Sequence, residues 1–386
     1  ERLLCAQFGT RDLAGFGCEE FEVGVVAAGA LLQYVTDTQK AALPHLHSIK
    51  VEMREDAVIM DGPTRRNLEL EASLSGHHEH TLGGVMDECQ TAMGSRLLRR
   101  WIQRPLRNKG VLMSRYQAID AIMTKGVVDA LQQALHGIGD VERILARVAL
   151  RSARPRDLRQ LSEALSRLPG LRGQLAAIES PLLQDLIDQI GDHKQQHRLL
   201  DKAIVDSPPM LIRDGGVIAT GYDDELDDLR AIAENADQYL VDLEIRERER
   251  TGIGTLKLGY NRVHGYYIEI SKLQADRAPV EYVRRQTLKS AERYITPELK
   301  EFEDKVLGAR ERSLSREKHL YEALLDLLHE DLAGLQLSAA GLAELDVLTC
   351  FAERAQTLNL SRPEISDQPC IEIEGGRHLV VEQVID

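Results

Sequence analysis

Aromatic residues are scarce in this 386-residue chain: they make up 4% of it, with one tryptophan and five phenylalanines. Apolar residues still reach 43%, enough for sizeable cores. A chain that builds its cores without rings leans helical, because Leu, Arg, Glu, Gln and Ala lose little rotamer freedom in a helix. No run of about 18 uncharged apolar residues is present, and so no membrane partner is expected. Five cysteines (Cys5, Cys18, Cys89, Cys350 and Cys370) form no Cys-x-x-Cys pair. An odd, scattered set of this kind points to reduced thiols in a cytosol, a cytoplasmic location, and away from a zinc site or a disulfide framework. An initiator methionine is lacking, and Glu1-Arg2-Leu3-Leu4-Cys5 has no signal-peptide pattern. The strand-like Leu379-Val380-Val381 lies close to Asp386, and both ends are expected to fall inside a longer protein. The length itself predicts two to four domains. With a net charge of -14, nucleic acid is not the first partner that composition brings forward.

Apolar spacing organises the chain. Phe21 to Tyr34 reads as a buried helix closing a small α/β remnant, and Ile49–Val51 and Val58–Met60 read as short strands. From Pro63 to about Leu200 the pattern is helical, with segments expected at Thr64–Leu74, Thr81–Ile102, Val111–Thr124, Val127–His136, Val141–Leu150, Pro155–Leu168 and Pro181–Ile190. Such helices with short connections predict a bundle. Asp223 to about Arg250 carries one stripe (Leu226, Leu229, Ile232, Tyr239, Leu240, Leu243) on a helix roughly 40 Å long. The acids Asp223, Asp224, Glu225, Asp227 and Asp228 sit in its first turns, where the helix dipole favours negative charge. A second stripe restarts at Thr296-Pro297-Glu298, an N-cap followed by a first-turn proline, and runs to about Leu335. Ser338 to Thr357 is a further helix, and Cys370–Glu374 with Leu379–Val381 reads as strand.

Between the two stripes the period changes. Leu256, Leu258 and Tyr260 alternate, Tyr266–Ile270 and Tyr282–Leu288 read as strands, and Asn261-Arg262-Val263-His264 is a hairpin loop. A small antiparallel unit of three or four strands is therefore expected on a pair of long antiparallel helices. From Thr251 to Thr296 eight basic residues stand against four acidic ones, a net +4 against -18 for the rest. Four tyrosines and many small polar groups are interleaved. A basic, polar β unit on an acidic stalk suits a phosphate backbone, where Lys and Arg displace counterions. A solvated hairpin with an ordinary charge excess is the competing reading.

Several segments carry a more specific likeness. Gly259 to Ile270 (Gly-Tyr-Asn-Arg-Val-His-Gly-Tyr-Tyr-Ile-Glu-Ile) and Arg284 to Tyr294, followed by Thr296-Pro297-Glu298-Leu299-Lys300, resemble the clamp signature of the MutS family of bacterial DNA mismatch repair proteins. Met93-Gly94-Ser95-Arg96-Leu97-Leu98, Leu342 to Leu348 and Glu374-Gly375-Gly376-Arg377-His378 match the family in the same order. The resemblance implies a mainly α fold: a helical lever or core bundle whose two long antiparallel helices carry a small antiparallel β clamp. Residues 1–50 then correspond to the end of the connector, 51–236 and 297–360 to the split lever, 237–296 to the clamp, and 361–386 to the start of the ATPase domain. It implies double-stranded mismatched DNA, a second copy in a homodimer and the repair factor MutL as partners, with ATP and Mg2+ as cofactors of the longer protein. It places backbone contacts on Asn261, Arg262, Val263 and His264, and on Arg284, Arg285, Gln286, Thr287, Lys289 and Ser290. Of the adjacent Arg284 and Arg285, strand alternation lets one face DNA and leaves the other to pair with Glu269 or Glu281. There is no Gly-x-x-x-x-Gly-Lys-Ser/Thr loop, so this stretch is expected neither to hydrolyse ATP nor to hold a cofactor.

Two other readings compete: a helical scaffold whose β unit docks on an acidic protein, and a MutS paralogue acting on recombination junctions. No catalytic residue is expected, because no nucleophile motif or isolated carboxylate pair stands out. No metal site is expected either. His77, His78 and His80 read as a polar loop, His193 and His197 as a solvated helix face, and Asp223–Asp228 as helix-terminal acid lacking the central glycine of a calcium loop.

Overall fold

The computed structural model describes residues 1–384 apart from 19, 40–42, 44, 45, 47, 75 and 262–264. In chain order its helices begin with α1 (Arg2–Phe8), α2 (Glu22–Gln39), α3 (Gly62–Asn67), α4 (Leu82–Met86), α5 (Ala92–Gln103) and α6 (Lys109–Lys125). They continue with α7 (Val128–His136), α8 (Val141–Ala149), α9 (Pro155–Leu175), α10 (Pro181–Ile190) and α11 (Lys194–Ala203). α12 (Asp224–Thr251) is followed by strands β1 (Lys257–Asn261), β2 (Gly265–Ser271), β3 (Val283–Thr287) and β4 (Ala291–Ile295). α13 (Pro297–Glu330), α14 (Leu332–Thr357) and α15 (Leu379–Val384) complete the chain. It divides into two compact units: Glu1–Asp201 with Leu324–Asp386, and Lys202–Ala323. The mainly α architecture with one small antiparallel sheet matches the sequence expectation.

In the first unit α14 is the hub. Leu335, Leu342, Leu345, Leu348 and Ala352 are buried along it, and it packs against α5, α6, α7, α8 and α10. It is long and apolar enough to cross a membrane, yet 72% of its most apolar window is buried inside the protein, as befits a core helix. Its one buried acid, Asp346, explains why the expected helix over 81–102 is broken. The Asp346 carboxylate accepts the backbone N–H of Gln90 (2.9 Å) and of Thr91 (2.8 Å), and the Thr91 hydroxyl (2.7 Å). Thr91 in turn caps α5, its Oγ1 accepting from the Gly94 N–H at 3.0 Å. The first amides of a helix need such outside acceptors, and a neighbour 255 residues away in sequence supplies them.

Other expectations are corrected here. α9 continues past Leu168 through Pro169 to Leu175, because the buried stripe of Leu161, Leu165, Leu168, Leu171 and Leu175 runs on beneath the exposed proline. The strands expected at 49–51 and 58–60 do not form. Ala57 makes only an isolated bridge to Leu106, and Ile49 and Val51 pack into a small cluster with Leu4, Leu13 and Leu32. α2 buries only its Leu32 side, leaving Val23, Val26, Leu31 and Tyr34 exposed. Residues 379–381, expected as strand, lie in helix α15, and 370–374 form no strand; extended segments without a neighbouring strand have no ladder to join.

The second unit is a helix pair carrying the sheet. α12 and α13 run antiparallel: the Tyr239 and Phe302 rings stack at 4.2 Å, Arg246 meets Glu298 at 2.5 Å, and Arg316 meets Asp223 at 2.7 Å. Both helices start as the sequence predicts. Asp223 accepts from the Leu226 N–H at 2.9 Å, and the Thr296 hydroxyl accepts from the Leu299 N–H at 3.1 Å. The sheet has the order β1-β2-β4-β3, every pair antiparallel. Tyr266, Ile268, Ile270 and Tyr294 on its inner face join Leu243, Ile253, Leu256 and Leu299 in one buried cluster that fixes the sheet to the ends of both helices.

Candidate nucleic-acid interface

Three buried carboxylates hold the sheet's inner side. Glu247 on α12 accepts the Tyr282 hydroxyl at 2.6 Å and is gripped by Arg250 at 2.8 Å. Glu292 on β4 accepts the Tyr294 hydroxyl at 2.6 Å and meets Arg284 at 3.4 Å. That phenol keeps Glu292 below the usual glutamate range, while burial and the same contact push Tyr294 up to about 12. Glu303 on α13 accepts the Tyr266 N–H at 2.7 Å.

The outer face centres on Arg293. Its guanidinium lies 4.0 Å over the Tyr267 ring, donates to Glu269 at 2.8 Å, and reaches the Gln286 side-chain oxygen at 3.1 Å. The register explains the grouping, since Glu269 and Gln286 stand opposite Arg293 from the strands on either side. This cation is therefore neutralised and stacked, which leaves it little reason to seek a phosphate.

The contact residues implied by the sequence are not gathered at one point. Arg262, Val263 and His264 lie outside the described residues. Asn261 ends β1 opposite Gly265. Arg284, Arg285, Gln286 and Thr287 belong to the edge strand β3, and Lys289 and Ser290 sit in the turn to β4, closed by Leu288 N–H to Ala291 O at 2.8 Å. Asn261 and Lys289 are at opposite ends of the sheet, separated by the length of β2, roughly 20 Å for six strand steps. The simple alternation expected for Arg284 and Arg285 fails, because a register shift falls between Arg284 and Gln286. A bulge puts two residues against one and re-aims the side chains. Arg284 pairs with Glu292, whereas the expected partners Glu269 and Glu281 are held by Arg293 and Arg250.

Register also brings to the turn end two of the insert's basic residues that the resemblance does not name as contacts. Lys257 starts β1 opposite Glu269, and Lys272 follows β2 with its N–H bonded to the Ser290 carbonyl at 3.0 Å. Lys257, Lys272 and Lys289 are exposed and make no ion pair among the described residues. Their convergence comes from strand ends far apart in sequence; only a correct pairing register reveals it.

The described histidines make other contacts. His77 pairs with Glu79 at 3.1 Å, and no group of metal-ligating residues occurs among the described residues. The solvated helix face expected for His193 and His197 is not what forms. His193 precedes α11 and bonds Ser338 at 2.6 Å, while His197 reaches Ser162 at 3.2 Å, each serving to join neighbouring elements.

Two family models match this chain: MutS domain II over residues 1–47 and MutS domain III over residues 63–352.

Proposed function

From the premise that this chain belongs to the MutS family of mismatch repair proteins, we propose that its β-bearing unit grips the sugar-phosphate backbone of duplex DNA without reading its sequence. One observation carries the reading. Lys257, Lys272 and Lys289 stand exposed at one end of the sheet, while the strand acids Glu269 and Glu292 are already held by arginines. Unpaired lysines displace counterions from phosphate, and the adjacent Thr287 and Ser290 hydroxyls add short-range positioning. The net charge of -14 does not oppose this, because recognition follows the local field.

In this reading Asn261 to His264 and Arg284 to Ser290 are the two ends of one backbone-holding strip. A homodimer closes around mismatched DNA in the bacterial cytoplasm. ATP and Mg2+, held outside the residues described, change the position of the clamp through the long helices, and MutL acts downstream. The chain described acts mechanically and performs no catalysis of its own.

The test is a titration of a short fluorescent duplex with the dimeric protein at about 50 and about 200 mM salt. A fall in affinity of a hundredfold or more is the order expected for several phosphate contacts. No binding at the lower salt would overturn the proposal and favour a scaffold that docks on protein.

A further inference from the structure

Leu273 projects from the short 3-10 helix Lys272–Arg277 that follows β2, and its side chain is 97% exposed. Single exposed apolar residues are ordinary on a protein surface. This one is set apart by its company and by how firmly it is held. It directly follows Lys272, at the end of the sheet where Lys257 and Lys289 also stand exposed.

The segment that carries Leu273 is tied down on both sides. Before it, the Lys272 N–H donates to the Ser290 carbonyl at 3.0 Å, which joins it to the β3–β4 turn. After it, the Gln274 side-chain oxygen accepts the Thr255 hydroxyl at 2.5 Å, and the same hydroxyl lies 3.2 Å from that of Ser271. Arg277 reaches the carbonyl of Gly252, the residue that caps the end of α12, at 3.3 Å. A side chain displayed on an anchored segment loses little freedom when it meets a partner.

A DNA strand offers more than phosphate. Between successive phosphates lies a deoxyribose, and its carbon face is apolar. A polyanion with carbon surface between regularly spaced charges answers both features of this end of the sheet, the three lysines and the leucine among them. We propose that Leu273 is a DNA-contacting residue that presses on the deoxyribose face of the strand whose phosphates Lys257, Lys272 and Lys289 hold. This rests on the backbone-holding function proposed above and adds an apolar contact to it.

Such a contact buries area without releasing counterions, so it is separable from the lysines by experiment. The measurement is titration of a short fluorescent duplex at several salt concentrations between about 50 and about 200 mM. Leu273→Ala is expected to lower affinity about three- to tenfold at every salt concentration and to leave the slope of log affinity against log salt unchanged. Leu273→Met keeps the apolar reach and is expected to recover most of the affinity. Lys272→Ala is expected to lower the slope by about 0.9. Val280 is as fully exposed but adjoins Glu281, which pairs with Arg250, and Val280→Ala is expected to change neither quantity. Wild-type affinity in Leu273→Ala would overturn the contact while leaving phosphate holding intact, and would leave this side chain to a protein partner. An equal loss in Val280→Ala, or a reduced slope in Leu273→Ala, would also overturn it, as a general disturbance of the unit. Absence of salt-dependent binding by the wild type would instead remove the underlying function.

Discussion

Glu317 on α13 lies 2.7 Å from the Arg230 guanidinium on α12, and among the described residues it is the most deeply buried carboxylate of the sheet-bearing unit. It also accepts the N–H groups of Gly216 (3.0 Å), Val217 (2.6 Å) and Ile218 (2.8 Å). Two consecutive glycines with positive φ, Gly215 and Gly216, let the chain wrap this carboxylate. Removing it leaves three amides without their acceptor and Arg230 with only the longer contact to Asp227 at 3.9 Å, which is costlier than never having built the pair. Glu317→Ala should therefore destabilise this unit by about 3–5 kcal/mol. Urea denaturation followed by far-UV circular dichroism measures it; a loss below about 1 kcal/mol would mean that the contact is dispensable.

Glycine-to-alanine changes inside helices usually stabilise by about 1 kcal/mol. Gly94→Ala should do the opposite, because the added Cβ would run into the Asp346 carboxylate that supports the start of α5. The expected loss is about 1–3 kcal/mol. The fluorescence of Trp101, the only tryptophan and a residue of α5, reports it directly. An unchanged denaturation midpoint would show that the carboxylate can move aside.

Asp346 should respond to acid with a sign opposite to that of the ion-paired carboxylates of the sheet-bearing unit. Arg316 holds Asp223, Arg246 holds Glu298 and the Tyr294 hydroxyl holds Glu292 below their ordinary values. Their stabilisation is present above the unfolded values and is lost as pH falls through the lowered folded ones, so the sheet-bearing unit weakens below about pH 4.5. Burial raises Asp346 instead, despite its hydrogen bonds. The folded state then binds that proton more tightly, and its contribution declines as pH rises from 3.8 through the raised value. Asp223→Asn should flatten the acid-side loss of circular dichroism, whereas Asp346→Asn should not; equal flattening by both variants would contradict the assignment.

Arg293 should be nearly irrelevant to phosphate binding although it lies on the sheet's outer face. Glu269, Gln286 and the Tyr267 ring already occupy it. Arg293→Gln is expected to destabilise the sheet by about 1–3 kcal/mol while leaving the salt slope of DNA binding unchanged. A lower slope would place this guanidinium on the DNA after all.

The helix pair and the β insert between its members were legible because their signals are local: an N-cap with a first-turn proline at Thr296-Pro297, an acidic first turn after Asp223, and a change of period at Thr251. The break before α5 was not legible, since its cause is Asp346 on α14. Nor was the passage of α9 through Pro169, where tertiary burial of the leucine stripe outweighs a local breaker. At the candidate site, Lys289, Thr287 and Ser290 are singled out by the family resemblance alone. Lys257 and Lys272 count among the insert's eight basic residues, but their grouping with Lys289 is not legible, because strand register creates it. The buried struts Glu247, Glu303 and Glu317 looked like ordinary acids on helices already rich in them, and only packing separates them from solvated neighbours.

The most direct test is charge reversal on the proposed strip itself, with Lys289→Glu combined with Arg262→Glu, measured against matched and mismatched duplexes over a range of salt. The account predicts the same fractional loss of affinity on both duplexes, with a salt slope smaller by about 0.9 for each contact removed. A loss confined to the mismatched duplex, or no loss at all, would contradict a clamp that holds the backbone.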